Sequence, residues 1–192
     1  MSTKVVTGKV RASYANIMRP RRNELNGKEE YSVVVLVPKT DTDTIEALKS
    51  AAKAAIAAKW PQPPRGLRNP LRDGDAETKS DGSPLGAEYK GHFFFNSKSD
   101  AMRKPGVIDA ACRDLIDADA IVSGDYIRVS VNAYAYDQAG NRGVSFGLNN
   151  VQLLEKGPSL GSGKATAAQD FGPAPGAAKA PVTADVSDDE WA

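Results

Sequence analysis

One histidine, one cysteine and three closely spaced aspartates are the residues best suited to bond-making chemistry in this 192-residue chain. None sits in a pattern that such chemistry requires. His92 opens the run HFFFNS, and no serine or cysteine occupies a nucleophile elbow of the form G-x-S-x-G. His92 therefore reads first as a structural or surface residue. Cys112 follows two alanines and reads as a small buried apolar side chain. A lone cysteine excludes an intrachain disulfide, and one Cys with one His cannot build a Cys/His metal site. Asp114, Asp117 and Asp119 lack the glycine turn and closing glutamate of a calcium loop. The run GSGK at 161–164 has no strand before it and so lacks the setting of a phosphate loop. We expect no enzyme, no catalytic residue, no metal and no cofactor.

A different chemistry is available to the aromatic and basic residues. Along DYIRVSVNAYAY (125–136), Ile127, Val129, Val131, Ala133 and Ala135 alternate with Tyr126, Arg128, Ser130, Asn132, Tyr134 and Tyr136. In a strand the two sets point to opposite faces. The apolar set is enough for a core, which leaves three tyrosines and an arginine on the other face. Aromatic rings stack on bases at about 1–3 kcal/mol each regardless of sequence, while Arg and Lys follow the phosphates, a combination suited to single strands. The alternative for each tyrosine is packing beneath a helix or loop. Arg19, Arg21, Arg22 and Lys28, beside Tyr14, form a second basic set that can equally be a solvated turn. Arg65, Arg68 and Arg72 lie in a long connection. Around HFFFNSKS, Phe93 and Phe95 read as core and His92, Phe94 and Lys98 as the opposite face, with Arg103 and Lys104 just beyond.

These residues need elements to hold them. KVVTGKVRA (4–12) alternates loosely and reads as a first strand, and the stretch from Ser13 to Glu30 as a long connection or hairpin. YSVVVLV (31–37) is apolar on both faces, as in a central strand covered on both sides. Asp43 with Glu46 makes a capping box that opens a helix over 43–59, whose stripe is Ile45, Leu48, Ala52, Ile56 and Lys59. The stretch 61–90 holds five prolines and four glycines without a period, and a connection this long is mobile or functional. Residues 110–121 read as a short helix or irregular cover. The turn DQAGNRG (137–143) joins the alternating strand to VSFGLNNVQLLE (144–155), where Gly147 suggests a bulge.

The balance of charge divides the chain. Residues 1–157 carry 23 Lys and Arg against 19 Asp and Glu, whereas 158–192 carry 2 against 5. The second part is rich in Gly, Ala, Ser and Pro and has too few large apolar residues to offset the entropy of ordering. We read it as a disordered linker and acidic tail ending in DVSDDEWA, with Asp185, Asp188, Asp189, Glu190 and Trp191 as a mimic of phosphates and a base. No signal peptide and no run of about 18 apolar residues is present, which suggests a soluble, intracellular protein without membrane contact.

Several stretches occur in an order that identifies a family: SYANIMRP, YSVVVLVPKTDTDTIEAL, NPLRDGD, GHFFFNSKS, RKPGVID, SGDYIRVSVNAYAYD and GNRGVSFGLNNVQLLEKGPSLG. Together they resemble the bacteriophage single-stranded-DNA-binding proteins of an OB-fold family once catalogued only as a domain of unknown function. The resemblance covers about residues 4–161. It implies a mainly β chain: a five-stranded Greek-key OB barrel at 1–157 with one helix, long loop insertions and the tail at 158–192. It also implies sequence-independent binding of single-stranded DNA, with weaker binding of double-stranded DNA, in replication or recombination. The tail would compete with DNA and recruit replication proteins, in the cytoplasm of an infected bacterial host. RKPG departs from the family's usual RPG, and Trp191 is penultimate rather than terminal. A monomer and a dimer both fit the sequence, and the competing reading of the whole chain is a virion or scaffolding module whose aromatics form a protein interface.

Overall fold

The computed structural model describes residues 2–24, 27–138 and 140–160. The chain divides into Met1–Gly161 and Ser162–Ala192, and the tail residues Asp185 to Trp191 lie outside the described part. Eight strands and one α-helix follow in the order β1 (Lys4–Val6), β2 (Val10–Arg22), β3 (Glu29–Pro38), α1 (Thr42–Lys59), β4 (Arg72–Asp73), β5 (His92–Asp100), β6 (Gly106–Ile108), β7 (Tyr126–Gln138) and β8 (Asn141–Glu155). β2 pairs antiparallel with β3, β3 with β5 and β7 with β8, while β5 runs parallel to β8 and β7 returns to β2 through Val10 and Arg11. β1 lies along β7, β6 along β8, and the two-residue β4 along β5.

The core follows from the alternation. Ile127, Val129, Val131 and Ala133 of β7 are buried with Val33, Val35 and Val37 of β3, Phe95 of β5 and Phe146 of β8. Phe95 and Phe146 meet edge to face at 4.8 Å, a favoured arrangement of ring quadrupoles. Helix α1 lays Ile45, Leu48, Ala51 and Ala55 against β7, β1 and β8. Its cap is Asp41, whose carboxylate accepts from the Thr44 backbone N–H at 3.1 Å, so the helix starts at Thr42 and Asp43 falls in the first turn. The expected capping box at Asp43 is thus displaced by two residues.

β3 is covered on both sides, as its composition suggested. Val34 and Leu36 point away from the core and are roofed by Leu85, Tyr89, Phe94 and Leu160, so the long connection earns its length partly as a lid over this face. Other readings need correction. The first strand breaks at Thr7–Lys9, and of the two readings of 13–30 the hairpin holds, because β2 continues to Arg22 and pairs back with β3. A register shift between Ser13 and Asn16 breaks the alternation that would have betrayed it. The β7–β8 turn is much shorter than 137–143, since pairing continues to Gln138 and Asn141. Gly147 pairs regularly with Asn132, and the irregularities in β8 fall at Asn149 and Leu154 instead. Residues 110–121 form turns, the irregular one of the two readings, whereas Cys112 is exposed at φ +61° rather than buried. Among the described residues no helix is long and apolar enough to cross a membrane.

Candidate nucleic-acid interface

The outer face of β5, β8 and β7 collects the polar and aromatic half of three alternating strands. Lys98 of β5 stands opposite Gly147 of β8, which stands opposite Asn132 of β7. One step along, Tyr134 pairs with Ser145, and Tyr136 with Gly143. Neighbouring strands lie about 4.8 Å apart, so Lys98 and Tyr134 flank a strip two strands wide. Glycine at 147 keeps its floor low: a Cβ there would lie 3.6 Å from the Tyr134 ring. Tyr134 is half exposed.

Three clefts lie along this face. The largest, about 760 Å³, is lined by Lys98, Asp100, Met102, Arg103, Lys104 and Tyr134, among others. A second, about 280 Å³, lies between Arg68, Arg72, Asn96 and Tyr136. The third, about 410 Å³, holds Tyr14, Glu77, Glu88, Tyr89 and Phe94, and shares Arg72 and Asn96 with the second. Close approach builds the middle one. The backbone at Arg68 bridges to Gly143, where any Cβ would come within 2.8 Å of Arg68 and 2.9 Å of the Tyr136 hydroxyl.

The third cleft is held by a latch between two sequence motifs. Lys39, at the end of LVPK, reaches Asp73 at 2.6 Å and Asp75 at 2.7 Å, both within PLRDGD. Asp75 also accepts the Gly91 N–H, and Asp73 the Asp75 N–H. The Lys39 ammonium holds both carboxyls below the usual carboxylate range, aided by the Asp75 N–H at Asp73 and the Gly91 N–H at Asp75. Hydrogen bonds to Asp73 and then Asp75 raise Lys39 in turn. Gly74 sits where a Cβ would meet the Tyr89 carbonyl at 2.2 Å, so the loop presses directly onto its neighbour.

Residues 3–186 match the family described as the ssDNA-binding protein of Enterobacter phage Enc34. The chain belongs to this family. A protein designated p50, from Acyrthosiphon pisum secondary endosymbiont phage 1, is 29% identical over 179 residues, covering 88% of this chain and 92% of that protein. Among solved structures, the single-stranded DNA-binding protein from bacteriophage Enc34 in complex with ssDNA superposes with a TM-score of 0.71 at 16% identity, over 83% of this chain and 90% of that one. The single-stranded DNA binding protein gp2.5 of bacteriophage T7 gives 0.54 at 18%, over 85% and 92%. The fold is accordingly mainly β with one helix and an OB-fold-like topology.

Within this family member, the residues singled out from sequence separate into groups. Tyr14, Arg68, Arg72, Phe94, Lys98, Arg103, Lys104, Tyr134 and Tyr136 line the three clefts. Two of them differ from expectation. Phe94 faces the cleft but is only 3% exposed, because Tyr89 meets its edge and the Arg72 guanidinium lies 4.3 Å over its ring. Lys98 is paired with Glu30, which offsets its charge. Tyr126 and Arg128 sit at the other end of β7, about 26 and about 20 Å from Tyr134 at the usual rise per residue. The Tyr126 ring is already covered by Lys9 at 4.5 Å and Arg11 at 5.6 Å, and Arg128 donates to the Thr7 carbonyl. Arg19, Arg21, Arg22 and Lys28 lie on the β2–β3 hairpin outside the clefts, as does the exposed Arg65. His92 lies at the start of β5 with Nδ1 on the Lys90 carbonyl at 2.7 Å.

Reading by type missed Lys39, Asn96 and Met102. Asn96 alternates with Phe94 and Lys98, and that signal was available. Met102 is 91% exposed on the rim of the largest cleft, beside Arg103. Lys39 carries no signal of its own, because its partners are 34 and 36 residues away.

Proposed function

We propose that this protein binds single-stranded DNA without sequence preference along the outer face of β5, β8 and β7, and protects and organises single strands during phage replication or recombination. The observation that carries the reading is the joining of Tyr14, Arg72, Arg68, Tyr136, Tyr134, Arg103 and Lys104 along one run of clefts. Aromatic faces take bases and cations take phosphates, and neither contact depends on sequence. Arg68, Arg103 and Lys104 have no carboxylate partner among the described residues, so they are available to phosphates. The ring of pairings β2–β3–β5–β8–β7–β2 supports a five-stranded Greek-key OB barrel as the scaffold, with the binding face on its outside.

Duplex DNA is bound more weakly, through phosphates alone. Residues 158–192 act as a linker and an acidic competitor whose carboxylates and Trp191 imitate the ligand and recruit replication proteins, and the setting is the cytoplasm of the infected host. The direction of the last described residues supports competition. Arg11 donates to the Pro158 carbonyl at 2.7 Å, Leu160 N–H donates to the Ser123 carbonyl at 3.1 Å, and the Leu160 side chain packs beside Leu36, Tyr89 and Phe94. Leu160, the last described residue, thus lies beside the Tyr14 cleft.

The test is a fluorescence titration with an oligonucleotide at two salt concentrations, on the full chain and on a chain ending at Leu160. Binding that weakens with salt, by a log–log slope of about −0.7 per phosphate contacted, and that tightens on truncation is expected. No binding by either chain would return the aromatic face to a protein interface.

A further inference from the structure

Arg72 is set up differently from the other cations of the face. Its guanidinium lies 4.3 Å above the buried Phe94 ring, and it makes no hydrogen bond or ion pair among the described residues. β4 pairs it in register with Phe94, and the latch Lys39–Asp73–Asp75 fixes the residues that follow it. A guanidinium over a ring has that side taken, and Arg72 is half-buried, so part of its surface remains open to the clefts. It lines both the Tyr14 cleft and the Tyr136 cleft.

On the Tyr14 side the charge around it argues against a phosphate, while the Tyr136 cleft sets Arg68 beside Arg72 with no carboxylate in its lining. The Tyr14 cleft carries Glu77 and Glu88 against Arg72 and Lys79, a balance of zero, whereas the largest cleft carries Lys98, Arg103 and Lys104 against Asp100. A phosphate beside two carboxylates is repelled, while a neutral base is not, and bases stack on guanidinium planes as they do on aromatic rings. Lysine cannot replace such a plane, since its ammonium is a point charge.

Resting on the reading of this face as the single-strand site, the geometry points to Arg72 as a base-stacking surface, with Phe94 as its support and Lys39 as the positioning residue that holds it. The phosphates then run toward Arg103 and Lys104. The expected order of rings along the strand is Tyr14, the Arg72 plane, Tyr136 and Tyr134, so that the buried Phe94 acts through the cation above it.

The experiment compares a thymidine strand of about 15 nucleotides with an abasic strand of equal length, by fluorescence anisotropy of the labelled DNA. For Arg72→Lys we expect binding of the thymidine strand to weaken about tenfold, and binding of the abasic strand to stay within about twofold of the wild type. Lys39→Met, which leaves Arg72 in place, should give a smaller loss with the same preference for the thymidine strand. A thermal melt of each variant reports folding. Wild-type affinity of Arg72→Lys for the thymidine strand would overturn the proposal, as would equal losses on both strands. Equal losses for Lys39→Met would remove the latch from it. Failure of the wild type to bind either strand is a separate result and would overturn the reading of the face itself.

Discussion

The two ends of β7 begin from the same pattern and finish as opposites. Tyr126 and Arg128 at one end, Tyr134 and Tyr136 at the other, all belong to the outward half of one alternating strand. At the first end the chain crosses back over the strand. Lys9 and Arg11 cover the Tyr126 ring, a Cβ on Gly157 would lie 3.2 Å from it, and Thr7 takes the Arg128 Nε–H. At the second end the Arg68 backbone bridges to Gly143 beside Tyr136, while Tyr134 stays half exposed with no side chain at Gly147 beside it. Periodicity decides which face a side chain joins; what covers that face is decided by segments far away in sequence. A stacking ring must have its face open, and Tyr134 at the second end is half exposed, whereas the Tyr126 ring is covered by two cations.

The sharpest way to break this comparison is to remove the rings at each end. Tyr134→Ala with Tyr136→Ala should weaken single-strand binding about a hundredfold, from about 1–3 kcal/mol per stacked base, with a small change in thermal stability. Tyr126→Ala should leave affinity within about twofold and lower the melting temperature instead. Equal affinity losses at the two ends, measured by anisotropy, would mean that the cover over Tyr126 opens for DNA.

The covered end also contains the one buried carboxylate among the described residues. Asp125 is 1% exposed and accepts from Val122 N–H at 2.9 Å, Lys156 Nζ at 3.0 Å and Gly157 N–H at 3.2 Å. Gly124, at φ +115°, lets the backbone at Pro158 approach to where a Cβ would be 2.1 Å from its carbonyl oxygen. Asp125→Ala strands those donors and should cost about 2 kcal/mol in a urea melt, with little effect on DNA affinity once folded. A large affinity loss at unchanged stability would show that this end takes part in binding.

At the open end the corresponding test adds bulk instead of removing it. Gly147→Ala places a methyl at an ordinary 3.6 Å from Tyr134 and should be nearly silent. Gly147→Leu fills the strip between Lys98 and Tyr134 and should weaken binding about fivefold, within the range of one lost stacking contact. Binding unaffected by leucine would place the strand elsewhere on the face.

The parts of the molecule that were legible in sequence are those whose causes are local. Alternation from Tyr126 to Tyr136 gave the strand, its core side and its outward tyrosines. The Ala-rich run gave α1, although the cap fell on Asp41 instead of Asp43. β2 was hidden because Tyr14 adopts φ +46°, a conformation uncommon for a residue with a Cβ, and the irregular register beside it breaks the period. The same feature leaves Tyr14 66% exposed at the rim of its cleft. Phe94 was assigned the correct face and the wrong exposure, since nothing near it in sequence announces Arg72 above it. LVPK and PLRDGD lie in separate stretches of the sequence, and only the fold brings Lys39 onto Asp73 and Asp75.

That latch provides the smallest and most conditional contrast with Asp125, because its groups are exposed and salt screens them. Asp73 and Asp75 are held below the usual carboxylate value of about 3.9. Their contribution to stability is therefore present above that value and is lost as the pH falls through their lowered values. Lys39 is raised, so its contribution is complete below the ordinary lysine value and fades only as the pH climbs through the raised one. Between these limits, across neutral pH, the latch is intact. Melting temperatures of the wild type should fall more steeply on acidification below about pH 4 than those of Lys39→Met, which has no ammonium to lower the carboxyls. The difference should shrink as salt rises, as expected for exposed charges. Parallel acid profiles would mean that Asp73 and Asp75 are held by the backbone N–H groups of Asp75 and Gly91 alone. The open end would then keep its shape without Lys39.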